Sequence, residues 1–350
     1  MEFDNVMIID ISVIIPVYCV EKYIAEFMDS LKSQTIQNFR AIIVNDCSSD
    51  NSIQIVAKYK DFFGDRLVLI NNKKNMGLSQ ARNVGIEYVR AHETKYITFL
   101  DPDDWMDSYY LEDLYANSEK HNLDLCIGGV NRIEDEGKRI VCKDLVKMPR
   151  RVFENICDCK ELAIINPCVY SKLFRFEAIK EINMRKIKRS EDTCYLFECL
   201  MHYSRVQFTC NALYFYRIRR DSLTGTISEE KYHSMHDVFA EILPIFDENI
   251  AIKEMFVTQI FIRSSVGGVC RLSFQDLSRV QLIEKEEYQY LQDKIFRWRE
   301  NKYLSIFGVK GGVKLFALKM CAQMYKMHCF FLFVYFYYFY NQICGKDIRA

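Results

Sequence analysis

Short apolar runs and longer amphipathic segments alternate along the first third of the chain. Runs rich in β-branched residues predict strands at 11–17, 41–44, 67–70 and 96–100, and apolar residues three and four positions apart predict helices at 21–33, 52–62 and 79–90. A sheet whose strands alternate with helices is mostly parallel and has helices on both faces. The pattern therefore predicts the α/β class, with a Rossmann-like, mostly parallel mixed sheet.

The pattern changes in the second half of the chain. Strand-like runs at 125–130 and 213–218 are separated by longer charged stretches, which we interpret as an extension of the same domain. Beyond Gly225 the pattern over 229–325 is mainly helical. We predict one domain over 1–225 and a helical C-terminal region over 226–350, with the boundary placed by the change of pattern alone.

The C-terminal segment 327–344 has no formal charge and is dense in phenylalanine and tyrosine. As a helix it would be about 27 Å long, which is short for a membrane span. Tyrosines favour the membrane interface, so the segment predicts an interfacial anchor with basic flanks and contact with a membrane surface. A helix docked on its own domain or on a second subunit is the alternative.

Charge and cysteine content narrow the function classes. Lysines and arginines number 47, as do aspartates and glutamates, so the formal net charge is zero. We therefore expect no nucleic-acid partner, and any bound anion must be held by local groups. The 14 cysteines form no C-x-x-C pair of the kind found in structural zinc sites. Reduced thiols, and an acidic start where a signal peptide is basic, predict a cytoplasmic protein.

Three carboxylates lie within four residues at Asp101, Asp103 and Asp104, directly after a predicted strand. Like charges in a tight turn repel each other, and a divalent cation that prefers oxygen ligands relieves the repulsion. Mn²⁺ or Mg²⁺ in this place would bind the phosphates of a nucleotide-diphosphate sugar and act as a Lewis acid on the leaving group. The alternative is an exposed turn without a ligand, which acids and proline also favour.

Two further polar segments follow predicted strands. The stretch 44–50 ends a strand and opens a helix, where the Asp46 carboxylate could contact a uracil or guanine edge and Ser48, Ser49 or Asp50 could cap the helix. The stretch 75–83 supplies Gly77 in a loop and then Arg82 near a helix start, available for a phosphate or for an acidic residue at a strand end. Because ligands bind beyond the carboxyl ends of parallel strands, these groups can converge with Asp101.

Taken in order, four segments resemble the family 2 glycosyltransferases, which have the A-type glycosyltransferase fold. They are S-V-I-I-P-V-Y at 12–18, V-N-D-C-S-S-D at 44–50, N-x-G-x-x-x-A-R-N at 75–83 and F-L-D-x-D-D at 99–104. The resemblance implies that Asp46 contacts the nucleotide base, Asp101 the ribose or metal, and Asp103 the metal. The implied nucleotide-sugar site also includes Pro16, Val17, Tyr18, Asn75, Gly77 and Arg82. Asn45 and Cys47 depart from the family's usual Asp and Gly.

Glu191 and Asp192 form an acidic pair before an apolar helical pattern. Taken alone, the pair is typical of a helix N-terminus, where acids are stabilised by the helix dipole. The resemblance implies that Asp192 is the general base for the acceptor hydroxyl and that Glu191 orients the acceptor or the base. A single base without a covalent nucleophile predicts one displacement with inversion. Basic segments at 172–175 and 216–220 could bind a phosphate of the donor or of the acceptor.

These observations predict a glycosyltransferase at the inner face of the cell membrane, with a donor half over about 1–105 and an acceptor half over about 106–225. The donor is a nucleotide-diphosphate sugar, and family frequency favours UDP. The acceptor is a glycan or a lipid-linked hydroxyl in cell-surface polysaccharide synthesis. A nucleotidyltransferase is disfavoured because no glycine-rich loop follows the first strand. A non-catalytic nucleotide-binding scaffold is the alternative of another class, and the oligomeric state is not predicted.

Overall fold

The computed structural model describes residues 9–134, 139–144, 148–187, 189–219, 228–305 and 313–344. The chain divides into two compact units. The first comprises Met1–Asp158 and Asn166–Ile218, and the second comprises Cys159–Ile165 and Arg219–Ala350. The predicted boundary at Gly225 lies outside the described residues.

The first unit is built on a mixed sheet that has ten strands among the described residues. The strands are β1 Ile11–Val17, β2 Phe39–Asn45, β3 Leu67–Asn71, β4 Tyr96–Phe99, β5 Trp105–Met106, β6 Leu125–Glu134, β7 Arg139–Asp144, β8 Val152–Phe153, β9 Lys172–Arg175 and β10 Val206–Ile218. The order is β3-β2-β1-β4-β9-β6-β10-β5, with β7 beside β6 and β8 beside β10. β3, β2, β1 and β4 are parallel, as are β6 and β10, whereas β5, β7, β8 and β9 run antiparallel to their partners.

In the first unit, four of the described helices follow the parallel strands β1, β2 and β3, and two more follow β5 and β9. They are α1 Ile24–Lys32, α2 Ser52–Ala57, α3 Lys60–Phe63, α4 Leu78–Arg90, α5 Tyr110–His121 and α6 Glu191–Leu200. The α/β class predicted from the alternating pattern is thus confirmed. The helix expected at 52–62 is interrupted between α2 and α3, and the helix expected from residue 21 begins only at Ile24.

Helix α4 packs closely on β1. Every residue of β1 is buried, because the strand is covered on both faces. A Cβ at Gly85 of α4 would lie 2.4 Å from Ile14 Cγ2, so only glycine permits this approach. Arg82 lies on the same buried side of α4 and is carried towards the strand ends.

The second unit is helical, as the pattern over 229–325 predicts. Its helices are α7 Glu229–Ile242, α8 Ile250–Ile260, α9 Val269–Ser273, α10 Val280–Lys294, α11 Val313–Lys326 and α12 Phe330–Cys344, with a π-helical segment Phe261–Gly268 between α8 and α9. Trp298 is buried and stacks on Phe261 with ring centroids 6.1 Å apart, so its ring packs within this unit.

The aromatic C-terminal segment forms a shorter helix than 327–344 predicts. α12 begins at Phe330, because the chain turns at His328, which has a φ of +54°. One side of α12 is buried through Phe330 and Val334, while Phe336 and Phe339 are exposed. Within the described ranges, no helix has the length and apolar character required to span a bilayer.

Candidate active site

The carboxyl ends of β1, β2 and β3 lie level at one edge of the sheet. Val17 is paired with Asn45, and Asn45 with Asn71, so the three parallel strands end side by side. Asn45 Nδ2 donates to Asn71 Oδ1 over 2.8 Å, and Asn45 Oδ1 accepts from the Ser48 N–H over 2.9 Å. Asn45, which replaces the family's usual aspartate, therefore takes part in the hydrogen-bonded rim of this edge.

Asp46, predicted as the contact to the nucleotide base, holds the loop that follows β3. Its Oδ1 accepts from Asn72 Nδ2 over 2.8 Å and from the Met76 N–H over 2.9 Å. Its Oδ2 accepts from the Gly77 N–H over 2.8 Å. Both carboxylate oxygens thus organise the loop, and contact with a base stays a prediction for the lone pairs that remain.

Gly77 and Asn75 lie in this loop beside Asp46. Gly77 has a φ of +86° and precedes the first residue of α4, and no atom lies within 4 Å of where its Cβ would be. Glycine is therefore required here by the backbone conformation and not by lack of space. Asn75 is exposed, so its side chain is accessible to a ligand at this edge.

Of the three residues predicted at the end of β1, only Tyr18 presents its side chain to solvent. Tyr18 is 54% exposed, whereas Pro16 and Val17 are buried. The Val17 carbonyl accepts from the Asp46 N–H over 2.9 Å, which ties β1 to the end of β2. Pro16 and Val17 have their side chains in the core, and their contact with a nucleotide stays a prediction for their backbone atoms.

Asp50, and not a serine, is the side chain that holds the start of α2. Its Oδ1 accepts from the N–H and the hydroxyl of Ser52, and its Oδ2 accepts from the Glu21 N–H over 2.9 Å. Burial raises the pKa of Asp50, but these hydrogen bonds together more than offset it, so the pKa is lowered. The residue directly before α2 is Asn51, which caps with no side-chain hydrogen bond.

The acidic turn after β4 is anchored by Asp104, which is 1% exposed. Asp104 Oδ2 accepts from the Tyr214 hydroxyl over 2.7 Å, and Oδ1 accepts from the Arg217 N–H over 2.7 Å. The Tyr214 oxygen also accepts from the Asp101 N–H over 3.2 Å. Burial raises the pKa of Asp104 well above its usual value, and the charges of Asp103 and Asp101 raise it further. Asp104 thus ties the acidic turn to Tyr214 and Arg217 of β10.

Arg217 completes this anchor, a role that the sequence did not reveal. Its Nε donates to the Asp103 carbonyl over 2.8 Å, and its Nη2 lies 2.5 Å from Glu26 Oε2. The guanidinium lies over the Trp105 ring, 4.7 Å from its centroid. The basic segment around Arg217 was predicted to bind phosphate. Here its buried arginine organises the acidic turn instead.

Arg82 joins the acidic turn to the acidic pair. Its Nη2 lies 2.8 Å from Asp101 Oδ1, and its Nη1 lies 2.6 Å from Asp192 Oδ1. Burial lowers the pKa of Arg82, but Asp192 and Asp101 more than offset this and raise it. The expected link to an acidic strand-end residue is found, whereas direct phosphate contact is not available, because the arginine is 1% exposed.

Asp192 lies in the first turn of α6, after Ser190 with a φ of +63°. Its Oδ2 accepts from the Val169 N–H over 3.2 Å, while Oδ1 is held by Arg82. The side chain remains 23% exposed, so the carboxylate is oriented and still accessible. Glu191 precedes it and contributes to the electrostatic field at Arg82. A general base needs this combination of orientation and access.

Asp101 and Asp103 suit a hard divalent cation. Burial raises the pKa of Asp101 to about 6 although Arg82 lowers it, and the charges of Asp103 and Asp192 raise it as well. A cation would relieve this cost. Within the ranges that the structure describes, no group of three or more His, Cys, Asp or Glu side chains is arranged to hold a metal ion. Asp101 and Asp103 are the residues that would hold a divalent cation here, since Mg²⁺ and similar hard ions bind through one or two carboxylates.

The sheet edge and the two sets of carboxylates define an α/β domain of the glycosyltransferase type. Residues 12–182 match the family model described as Glycosyl transferase family 2. The chain therefore carries a family 2 glycosyltransferase domain, as the four sequence segments predicted.

Curated relatives agree with this family. The chain is 30% identical over 247 residues to Glycosyltransferase GlyA of Streptococcus pneumoniae, covering 67% of this chain and 34% of the relative. It is 24% identical over 246 residues to the poly(ribitol-phosphate) beta-N-acetylglucosaminyltransferase TarS of Staphylococcus aureus, covering 66% of this chain and 40% of TarS. The chain spans about a third of the length of the curated relatives it matches first.

Solved structures share the fold. Staphylococcus aureus TarS 1-349 in complex with UDP-GlcNAc has a TM-score of 0.66 at 20% identity, covering 96% of this chain and 92% of that chain. The mannosyltransferase PcManGT of Pyrobaculum calidifontis in complex with GDP-Man and Mn²⁺ has a TM-score of 0.50 at 14% identity, covering 96% of this chain and 88% of that chain. At these identities the likeness shows the fold.

The raised pKa of Asp101 makes stability depend on pH in a defined direction. An acid whose pKa is higher in the folded protein, here about 6, stabilises the fold at low pH and loses that contribution as pH rises from about 4 through 6. In metal-free protein, the free energy of unfolding of Asp101→Asn, measured relative to that of the native chain, should therefore increase by roughly 1 to 3 kcal/mol as pH rises from 4.5 to 7.5. Urea unfolding in the presence of EDTA measures this difference in the free energy of unfolding at each pH. A difference that stays constant or decreases as pH rises would contradict the raised pKa of Asp101.

Proposed function

We propose that the chain is an inverting, metal-dependent glycosyltransferase that moves a sugar from a UDP-sugar to a hydroxyl of a glycan or lipid-linked acceptor in cell-surface polysaccharide synthesis. The observation that carries the proposal is the convergence of Asp101 and Asp192 on one buried guanidinium. A donor-side acid and an acceptor-side acid are held at one site although they are far apart in sequence. That arrangement suits transfer between two bound substrates.

Asp192 is the general base in this proposal. Its carboxylate takes the proton of the acceptor hydroxyl as the acceptor oxygen bonds to the anomeric carbon. The bond between that carbon and the phosphate oxygen breaks, and the nucleoside diphosphate leaves. A single displacement of this kind inverts the anomeric carbon. Arg82 and the Val169 N–H hold the two oxygens of Asp192, which reduces the reorganisation needed at the moment of transfer.

Asp101 and Asp103 would hold the divalent cation beside the donor. Bound there, Mn²⁺ or Mg²⁺ would neutralise the charge that develops on the departing diphosphate. The pKa of Asp101, raised mainly by burial, supports a site where a positive charge is favoured. The complex of the similarly folded PcManGT with GDP-Man and Mn²⁺ supports the same choice of ligand.

The relatives support a phosphate-rich cell-wall polymer as the acceptor to test first. Two of them are named poly(ribitol-phosphate) glycosyltransferases, one a beta-glucosyltransferase and one a beta-N-acetylglucosaminyltransferase. TarS was solved with UDP-GlcNAc. UDP-glucose and UDP-N-acetylglucosamine are therefore the donors, and poly(ribitol phosphate) the acceptor, with which the search for substrates begins.

Metal-dependent nucleotide binding tests the donor half of the proposal. UDP with Mn²⁺ should raise the melting temperature of the protein by a few degrees, and GDP and dTDP should raise it less, because a ligand that binds only the folded state stabilises it. Asp103→Asn should abolish the dependence on Mn²⁺, whereas the control Asp65→Asn, at a fully exposed position, should retain it. An equal shift with and without Mn²⁺ in the native chain would contradict a metal-dependent site.

Substitution of the base separates an enzyme from a non-catalytic scaffold. Asp192→Asn should lower UDP release from the accepted UDP-sugar by about 10² to 10⁴-fold, because the acceptor loses its base. Binding of UDP with Mn²⁺ should be unchanged, since Asp101 and Asp103 are intact. Should the native chain and the variant both turn over the donor at the same slow rate, the scaffold would be the better description.

The exposed side of α12 supports contact with a membrane surface. Leu332, Phe336, Phe339 and Tyr340 are each more than two-fifths exposed, although most are apolar. Aromatic side chains of this kind insert at the interface between lipid headgroups and acyl chains. The opposite side is docked, since the Phe330 and Phe331 N–H groups donate to Glu284 of α10. In this proposal, α12 docks on its own unit through one side and contacts the membrane surface through the other.

Co-flotation with vesicles containing anionic lipid tests this contact. Phe336→Ser with Phe339→Ser should lower the bound fraction several-fold, because burial of these rings at the interface is lost. Phe62→Ser removes an aromatic ring that is 41% exposed in the other unit and should leave binding unchanged. Equal flotation of all three proteins, or none by the native chain, would rule out anchoring through α12.

A further inference from the structure

Lys172 of β9 is a buried cation. It is 0% exposed, and its Nζ donates to the Asn166 carbonyl over 3.4 Å and to Cys168 Sγ over 3.6 Å. In the described part of the chain no carboxylate lies within ion-pair distance of this ammonium. Burying an ammonium group without a close counter-ion is costly. A lysine in such a place therefore needs a reason other than stability.

Both groups that Lys172 contacts belong to the irregular segment 166–170, which lies against the two acidic groups of the site. The Val169 N–H of this segment donates to Asp192 Oδ2 over 3.2 Å. The ring of Tyr170 stacks on Tyr214, with centroids 4.7 Å apart and an interplanar angle of 11°. Tyr214 in turn bonds to Asp104. The position of segment 166–170 thus affects both the proposed base and the acidic turn.

The electrostatic surroundings of Cys168 place Lys172 in one charge cluster with Asp192 and Asp101. Burial raises the pKa of the Cys168 thiol, Lys172 lowers it, and the charges of Asp192 and Asp101 raise it. The ammonium and both carboxylates therefore act on one buried thiol. Full burial excludes the phosphate contact that the basic segment 172–175 could have made through Lys172, and Arg175 is occupied by Asp124 and Asn122.

We propose that Lys172 is a positioning residue: its ammonium holds segment 166–170 so that the Val169 N–H aims Asp192 at the acceptor. Lys172 touches neither substrate and acts only through this segment. The inference rests on the proposed function, because it requires Asp192 to be the base. It adds Lys172, which lies 20 positions before Asp192 in the sequence.

Kinetics of matched variants test the inference. Lys172→Met keeps the length of the side chain and removes the donor, and Lys172→Gln keeps a neutral donor for the Asn166 carbonyl. UDP release from UDP-N-acetylglucosamine or UDP-glucose, with water as acceptor, should show kcat lower by about 10 to 100-fold in Lys172→Met and by less in Lys172→Gln. The KM for the donor should be unchanged. The control Lys180→Met, which removes an exposed lysine paired with Glu177, should behave as the native chain.

The pH profile distinguishes positioning from a general loss of structure. A carboxylate that loses an N–H donor is protonated more readily, so the acidic limb of kcat should move to higher pH in Lys172→Met. Arg82, Asp101, Glu191 and Cys168 also face this charge cluster, and they are unchanged in the variant. A defect in packing alone would lower kcat by the same factor at every pH.

Each outcome decides a separate point. If Asp192→Asn releases UDP at the native rate, the proposed base is wrong and the role of Lys172 falls with it. If Asp192→Asn is inactive while Lys172→Met and Lys172→Gln match Lys180→Met in kcat and pH profile, only the inference about Lys172 is overturned. If Lys172→Met fails to fold, as judged by its melting transition and UDP binding, Lys172→Gln decides by the same two criteria.

Discussion

A buried guanidinium between two carboxylates is the interaction on which the site depends. Arg82 reaches Asp101 at the end of β4 and Asp192 at the start of α6, and it has almost no access to water. Removing one partner from such a group leaves a buried charge without compensation, which is far more costly than losing an exposed ion pair. The close approach of α4 to β1 at Gly85 brings the arginine within reach of both acids. Packing, charge and the placement of the proposed base are therefore coupled.

Two arginines of the site, Arg82 and Arg217, bind groups of the protein itself. Arg82 balances Asp101 and Asp192, and Arg217 holds the backbone of Asp103 and the side chain of Glu26. Both guanidinium groups are thus engaged with groups of the protein. A divalent cation bound with the donor would add positive charge beside a diphosphate, as the proposed metal dependence requires.

Local patterns predicted the first half of the fold, because apolar periodicity reports directly on strands and helices. The candidate carboxylates were also found from sequence, since parallel strands end at one edge. The sequence did not predict which hydrogen bonds form between residues that are distant along the chain. Asp104 is paired with Tyr214 and Arg217, more than 100 positions away, and nothing near Asp104 distinguishes it from the accessible Asp103. Asp46 likewise holds the loop beside it with both of its oxygens, a role that the sequence alone did not indicate.

The path of the chain between the two units limits how freely they can be exchanged. The chain leaves the first unit after Asp158, contributes Cys159–Ile165 to the second, and returns at Asn166. In the second unit, Gln259 donates to the carbonyls of Ala163 and Ile165 over 3.0 and 2.9 Å. A single crossover after Ile218 would therefore separate Cys159–Ile165 from its partners in the second unit. Segment 166–170, which contacts Asp192, follows directly after Ile165. Recombination between relatives must keep the donor-binding sheet and the helical unit together, so the two are expected to be inherited as one module.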